Sequence, residues 1–287
     1  MEIATVVVTG ATSGIGLAAA EEFARRGARV VVVGRDQARL AVAVDSVRAA
    51  AGDSVRGTAG DSVRGAAGDR EPERFQADFT RLDEVRALAE QLLTRYERID
   101  VLANNAGAMI PAYRRTVDGF ETTIQLNHLA PFLLTNLLRE RLRGGRVVNT
   151  ASAAHGMGVT DPDNLVGDEA RYSAWRAYGA SKGANILFAA EAGRQWPDIL
   201  STSYHPGVVR TRFGAGTAAS MFYRVTPFLA TPAGGADTMV WLAGAPASEL
   251  TQGGYYVKRR PRQPTPYAAD PDLAAHLWQA SIKAVGL

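Results

Sequence analysis

The chain of 287 residues has no cysteine, which excludes disulfides, thiolate metal sites and cysteine nucleophiles. Its four histidines show no spacing suited to a metal, so none is expected. Nor is there a stretch near the roughly 18 uninterrupted apolar residues that a membrane-spanning helix needs. The first apolar run, Ile3 to Val8, leads straight into a glycine-rich turn and leaves no room for a secretory leader, so a cytoplasmic location is the expectation. Charge of one sign is also missing. Lysine and arginine total 32 against 29 aspartate and glutamate, a formal charge of +3, with no extended cationic block. No nucleic-acid partner is expected from such a balance.

What is present is 46% hydrophobic residues, enough to bury one sizeable core. Short β-branched runs alternate with longer amphipathic ones. The runs predict strands at Ile3–Thr9, Arg29–Gly34, Arg74–Ala77, Ile99–Ala103, Arg146–Thr150, Leu200–Tyr204 and Gly254–Val257. Helical length and spacing fall on Gly16–Arg26, Leu82–Tyr96, Gly119–Leu142 and Ala177–Gln195. This alternation predicts a single-domain α/β protein, a doubly wound Rossmann fold with a central, mainly parallel sheet over residues 1–287. One stretch interrupts the rhythm. AGDSVRGT at Ala51–Thr58 is repeated as AGDSVRGA at Ala59–Ala66, and its opening returns at Ala67–Asp69. Rich in glycine and poor in large apolar residues, the 51–72 segment is expected to be a flexible surface insertion.

Thr9–Gly16 reads TGATSGIG between a predicted strand and a predicted helix. Glycines 10, 14 and 16 permit a tight turn and close approach of backbone to a pyrophosphate, while the helix N-terminal amides favour the anion. Ser13 and Ile15 belong to the same turn. The second strand ends at Val33-Gly34-Arg35, where a dinucleotide fold inspects the adenosine ribose. Instead of an acidic residue, Arg35 stands ready to pair with a 2′-phosphate, so NADP(H) is the expected cofactor. Asp78 and Asn104-Asn105-Ala106-Gly107 follow the third and fourth strands, at the carboxyl edge where ligands bind. Tyr178 and Lys182 are four apart on a predicted helix and so share a face. Ser152 follows the fifth strand, and Asn127 lies in the preceding long helix.

In order and context, the glycine-rich turn and the Asn127, Ser152, Tyr178, Lys182 set resemble the short-chain dehydrogenase/reductase family across nearly the whole chain. Asn127-His128-Leu129-Ala130-Pro131-Phe132-Leu133-Leu134-Thr135, Trp175–Lys182 and Leu277-Trp278 are similar to its retinol-dehydrogenase-like branch. The resemblance implies carbonyl–alcohol interconversion by hydride transfer, with Tyr178 as general acid/base. It further implies that Lys182 favours the phenolate and holds the nicotinamide ribose, that Ser152 fixes the reacting oxygen, and that Asn127 supports a water-linked proton path through Lys182. Asp78 would contact adenine; Asn104, Ala106 and Gly107 would shape the adenosine site and stabilise the sheet. In the cofactor-binding loop after the sixth strand, Pro206 and Gly207 would set the path, and Val208 or Val209 and Thr211 would lie near the nicotinamide carboxamide, with Thr211 hydrogen-bonding it. Pairing into dimers or tetramers through long helices is a further implication. The aromatic-rich 211–230 segment is read as a substrate lid, which favours an apolar carbonyl or alcohol substrate. Two other readings remain open at the sequence level: reduction of a conjugated carbon–carbon bond, as in the similar protochlorophyllide reductases, and dinucleotide sensing without turnover.

Overall fold

The computed structural model describes residues 3–57, 71–209 and 230–287. Eight strands form one sheet in the order β3-β2-β1-β4-β5-β6-β7-β8. They are β1 (Thr5–Thr9), β2 (Arg29–Gly34), β3 (Glu73–Gln76), β4 (Val101–Asn104), β5 (Arg146–Thr150), β6 (Leu200–His205), β7 (Tyr255–Val257) and β8 (Arg260–Pro261). All neighbours pair in parallel except β7 and β8, which form an antiparallel hairpin at one edge.

The uninterrupted valine runs of β1 and β2 follow from burial on both faces, because side chains alternate across a sheet and here each side meets helices. Val7, Val31 and Leu102 join one core with the helices α3 (Leu82–Arg95), α5 (Ala130–Leu137), α6 (Ala174–Gln195) and α8 (Pro271–Val285). Val6, Val8, Val30, Val32 and Val101 join the other, with α1 (Gly14–Arg25), α2 (Gln37–Gly57) and α7 (Pro232–Gly244). Trp278 of α8 packs edge-on against Phe132 and Trp196, with ring centroids 5.0 Å apart in each case.

Two expectations change. The predicted single helix over 119–142 begins only at α4 (Thr122–Ile124), opens into a π turn at Gln125–Leu129, and resumes as α5. Pro131 lacks the N–H that the Asn127 carbonyl would accept in a regular helix, and the widened turn is the accommodation. Residues 51–57 continue helix α2 into the first repeat, where a loop was expected. The second repeat lies outside the described residues.

Candidate active site

The strand order reverses between β1 and β4, and a cleft of about 800 Å³ opens there at the carboxyl edge of the sheet. Its lining includes Gly10, Ser13, Gly14, Ile15, Gly16, Arg35, Asp78, Ala106, Gly107, Ser152, Tyr178, Lys182, Pro206, Gly207 and Val209. Thus most residues singled out in sequence converge on one space. Thr211 and residues 211–229 of the expected lid fall outside the described residues.

The floor of the cleft is the turn from β1 to α1. Gly10 and Gly14 have φ of +66° and +57°, a region that side-chain-bearing residues rarely adopt. At Gly16 a Cβ would lie 2.4 Å from the Gly10 carbonyl oxygen and 2.5 Å from Asn105 Nδ2, so only glycine allows the turn to close. Asn105 donates to the Thr9 carbonyl at 3.0 Å, and Thr9 Oγ1 accepts from the Asn105 and Ala106 amides at 2.9 and 3.0 Å. Thr9 and Asn105 therefore tie the turn to the end of β4. Neither was singled out individually, because a threonine and an asparagine beside glycines read as ordinary turn residues. The first turn of α1 contains no acidic residue, and Ser13 makes no capping hydrogen bond. Its amides are left to receive an anion.

Arg35 is exposed and, among the described residues, makes no ion pair. Gly34 beside it leaves room for Thr12, whose Cγ2 would lie 2.6 Å from a Cβ at that position. Asp78 Oδ1 accepts from Thr80 N and Thr80 Oγ1 at 2.9 and 2.8 Å, which aligns the carboxylate along the cleft wall.

Of its two expected parts, Asn104 takes the one in the sheet and does not line the cleft. It is buried beneath the cleft floor, and Nδ2 donates to Asn149 Oδ1 and Thr135 Oγ1, both at 3.0 Å. Asn149 Nδ2 in turn donates to the Thr202 carbonyl at 3.3 Å. Asn104 accordingly belongs to a polar ladder crossing β4, β5 and β6. The signal that could have separated it from Asn105 is alternation along the strand: consecutive side chains point to opposite faces.

At the other end of the cleft, Ser152 caps a 3-10 turn over Ala153–Met157, with Oγ accepting from Ala154 N at 3.1 Å. That turn packs directly on α6. A Cβ at Gly179 would lie 2.5 Å from the Ala154 carbonyl oxygen, and one at Gly158 would lie 2.1 Å from the Arg176 carbonyl oxygen. The small residue after Tyr178 lets the serine-bearing turn approach the tyrosine-bearing helix. One turn further along α6, Lys182 is 3% exposed and donates to the Thr150 carbonyl at 2.9 Å. Its Nζ lies 5.5 Å from the centre of the Tyr178 ring. Burial pulls its pKa from the usual 10.5 down to about 8.

Asn127 does not line the cleft. It is fully buried in the π turn, where Oδ1 accepts from Ala108 N at 2.9 Å and Nδ2 donates to Ser181 Oγ at 2.8 Å. A Cβ on Gly107 would lie 2.9 Å from Asn127 Oδ1 and 3.3 Å from Lys182 Nζ, so the two side chains close on one point that only glycine leaves open. The expected juxtaposition with Lys182 exists, while the side-chain amide itself is spent on Ala108 and Ser181. Met109 and Trp175 pack with Tyr178, and the apolar side chains of Leu126, Met157 and Val208 also line the cleft.

Residues 4–70 and 65–220 match the short chain dehydrogenase family. The chain is a short-chain dehydrogenase. A Streptomyces sp. (strain C5) protein named for ketoreduction at C-13 of daunorubicin is 55% identical over 98% of this chain and 92% of its own. Human retinol dehydrogenase 13 is 34% identical over 99% of this chain and 85% of its own, in keeping with the retinol-dehydrogenase-like motifs. A short chain dehydrogenase from Shigella flexneri, solved in complex with NADP, superimposes with a TM-score of 0.64 at 26% identity, covering 88% of this chain and 95% of the other. Carbonyl–alcohol oxidoreduction is the chemistry of such an enzyme. Among the described residues, no helix is long and apolar enough to cross a membrane, and no cluster of potential metal ligands occurs.

Proposed function

We propose that the enzyme is an NADPH-dependent ketoreductase acting on an extended, largely apolar ketone. The uncapped, acid-free start of α1 and the exposed Arg35, which makes no ion pair among the described residues, suit a dinucleotide carrying a 2′-phosphate. When bound, that cofactor supplies the hydride. Tyr178 gives its phenolic proton to the ketone oxygen, which Ser152 Oγ positions; with Ala154 N donating to Oγ, the serine proton is left to point at the substrate. Lys182, held by the Thr150 carbonyl, keeps a cation beside the phenol and favours the charge that develops there. Asn127 holds Ala108 and Ser181 so that Lys182 and Gly107 keep their places. The substrate class rests on the apolar wall of Met109, Leu126, Met157, Trp175 and Val208, together with the name borne by the 55% identical relative.

The observation that carries this reading is the convergence of Ser152, Tyr178 and Lys182 on the cleft that also holds Arg35 and the glycine turn. Its test is a fluorescence titration with NADPH and NADH, followed by NADPH consumption with daunorubicin and with pyruvate. NADPH is expected to bind the more tightly, and Arg35→Ala to weaken it by about tenfold or more while leaving NADH unchanged, the scale of a charge-assisted hydrogen bond. Tyr178→Phe is expected to bind NADPH normally and to lose about a hundredfold or more in kcat. Preference for NADH, or no effect of Arg35→Ala, overturns the phosphate assignment. Binding without turnover of either ketone favours the sensing role, and turnover of pyruvate alone overturns the apolar substrate.

A further inference from the structure

Two histidines that the proposed chemistry does not use flank a single peptide bond, the one between Ser152 and Ala153. On one side, His155 Nδ1 donates to the Ser152 carbonyl at 2.7 Å, alongside the His155 backbone amide at 3.1 Å. On the other, Ala153 N donates to His205 Nδ1 at 3.2 Å. The tautomers follow from the partners. The Thr265 amide donates to His155 Nε2 at 3.1 Å, so Nε2 is an acceptor and the proton sits on Nδ1, facing a carbonyl that can only accept. His205 Nδ1 faces an N–H that can only donate, so it is unprotonated. Burial, with His155 nearby, takes His205 down to about 4, which keeps it neutral at physiological pH.

His155 is itself held from three directions. Its ring meets Tyr255 of β7 edge-on with centroids 5.4 Å apart, Thr265 binds Nε2, and the Tyr267 hydroxyl donates to the His155 carbonyl and, at 2.5 Å, to the Gly158 carbonyl. His205, at the end of β6, is fixed by the pairing of that strand with β7. The segment after the sheet thus braces the serine-bearing turn through rigid elements.

We propose that His155 and His205 are positioning residues that clamp the Ser152–Ala153 peptide from its two edges and thereby fix Ser152 Oγ against the reacting oxygen. The clamp rests on the assignment of Ser152 given above. With both imidazoles in place the peptide cannot rotate about its Cα–Cα axis without losing a hydrogen bond on each side, and the serine χ1 is referred to that plane. Placement to within a fraction of an ångström is what a hydroxyl acting on a transition state requires.

The two ring nitrogens of His155 can be tested apart. In His155→Asn the carboxamide reaches the position of Nδ1 and keeps the Ser152 bond; in His155→Gln it reaches that of Nε2 and keeps the Thr265 bond. His205→Asn likewise keeps an acceptor for Ala153, and His205→Leu removes it. With daunorubicin and NADPH, His155→Gln and His205→Leu are expected to lower kcat about tenfold with the KM for NADPH unchanged, while both asparagine variants stay within about threefold of the parent. In a Ser152→Ala background, all four changes are expected to be silent, because there is no hydroxyl left to position. The clamp is overturned if kcat follows the melting temperature rather than the Ser152 bond, or if the histidine effects persist in full without the serine hydroxyl. Should Ser152→Ala itself leave kcat unchanged, the serine assignment fails and the clamp with it. A fall with Ser152→Ala but none with the histidine variants removes the clamp alone.

Discussion

Lys182 shows how much a single residue gives up for its position. It is a buried ammonium that, among the described residues, donates to the Thr150 carbonyl and forms no ion pair. Desolvation favours its neutral form, moving the pKa from 10.5 to about 8. A lysine with a lowered folded-state pKa costs stability wherever it is charged, so at pH 7 the cost is on the order of 3 kcal/mol. Asn185 Nδ2 also donates to Thr150 at 3.1 Å, so the carbonyl keeps a partner if the lysine is removed. Lys182→Met is therefore expected to abolish turnover and yet raise the melting temperature by a few degrees, measured by calorimetry without cofactor. A fall in melting temperature would mean the ammonium contributes more through its hydrogen bond than it costs by burial.

At the scale of elements, the site depends on how closely the Ser152 turn approaches α6. Gly179 sets that distance. Gly179→Ala places a methyl 2.5 Å from the Ala154 carbonyl oxygen, which is backbone and yields only by moving the turn. The expected result is a loss of about tenfold or more in kcat with NADPH affinity preserved, since the nucleotide turn lies on other elements; steady-state kinetics and titration together decide it. The sequence made the elements legible where periodicity is strong. The valine runs, the glycine turn and the tyrosine–lysine helix all stand where their patterns placed them. It was less informative at 119–142, where Pro131 perturbs the helix one turn upstream of itself, a non-local effect that hydrophobic spacing does not register. The exchange of roles between Asn104 and Asn105 arose because which of two identical neighbours faces the cleft is set by strand register. The histidine clamp was invisible for a related reason: His205 lies in a separate segment that only tertiary structure brings to the Ser152–Ala153 peptide.

For the molecule as a whole, burial of imidazoles predicts its response to acid. His128 is fully buried, bonded through Nε2 to Ser281 Oγ at 2.9 Å, and desolvation lowers its pKa from 6.5 to about 4, the value also reached by His205. Between these limits the unfolded chain binds more protons than the folded one, so stability is expected to fall as pH drops from about 6.5 to about 4. Urea midpoints across that window should show the decline, and His128→Gln, which can still reach Ser281 without titrating, should make it shallower. Enclosure of the long helices bears on assembly. From Tyr178 to Gly193 no residue of α6 is exposed, and α8 shares a buried core with α5 and α6. Light scattering on the eluting protein is expected to give a single species near the 30.5 kDa of one chain, and a mass of twice or four times that value would show that pairing uses some other surface.

The ladder of Asn104, Asn149 and Thr202 has a consequence for how the sheet assembles. The apolar stretches of β4 and β5, Val101–Ala103 and Val147–Val148, are chemically almost uniform, so sliding one past the other by a residue changes little in apolar contact but turns every side chain to the opposite face. The two asparagine amides break that uniformity. In a shifted alignment each would enter hydrocarbon with nothing to bond, at a cost of roughly 1–3 kcal/mol apiece. They act as an index mark across β4, β5 and β6, admitting one alignment of three strands and, through it, setting the height at which the ends of those strands meet the substrate.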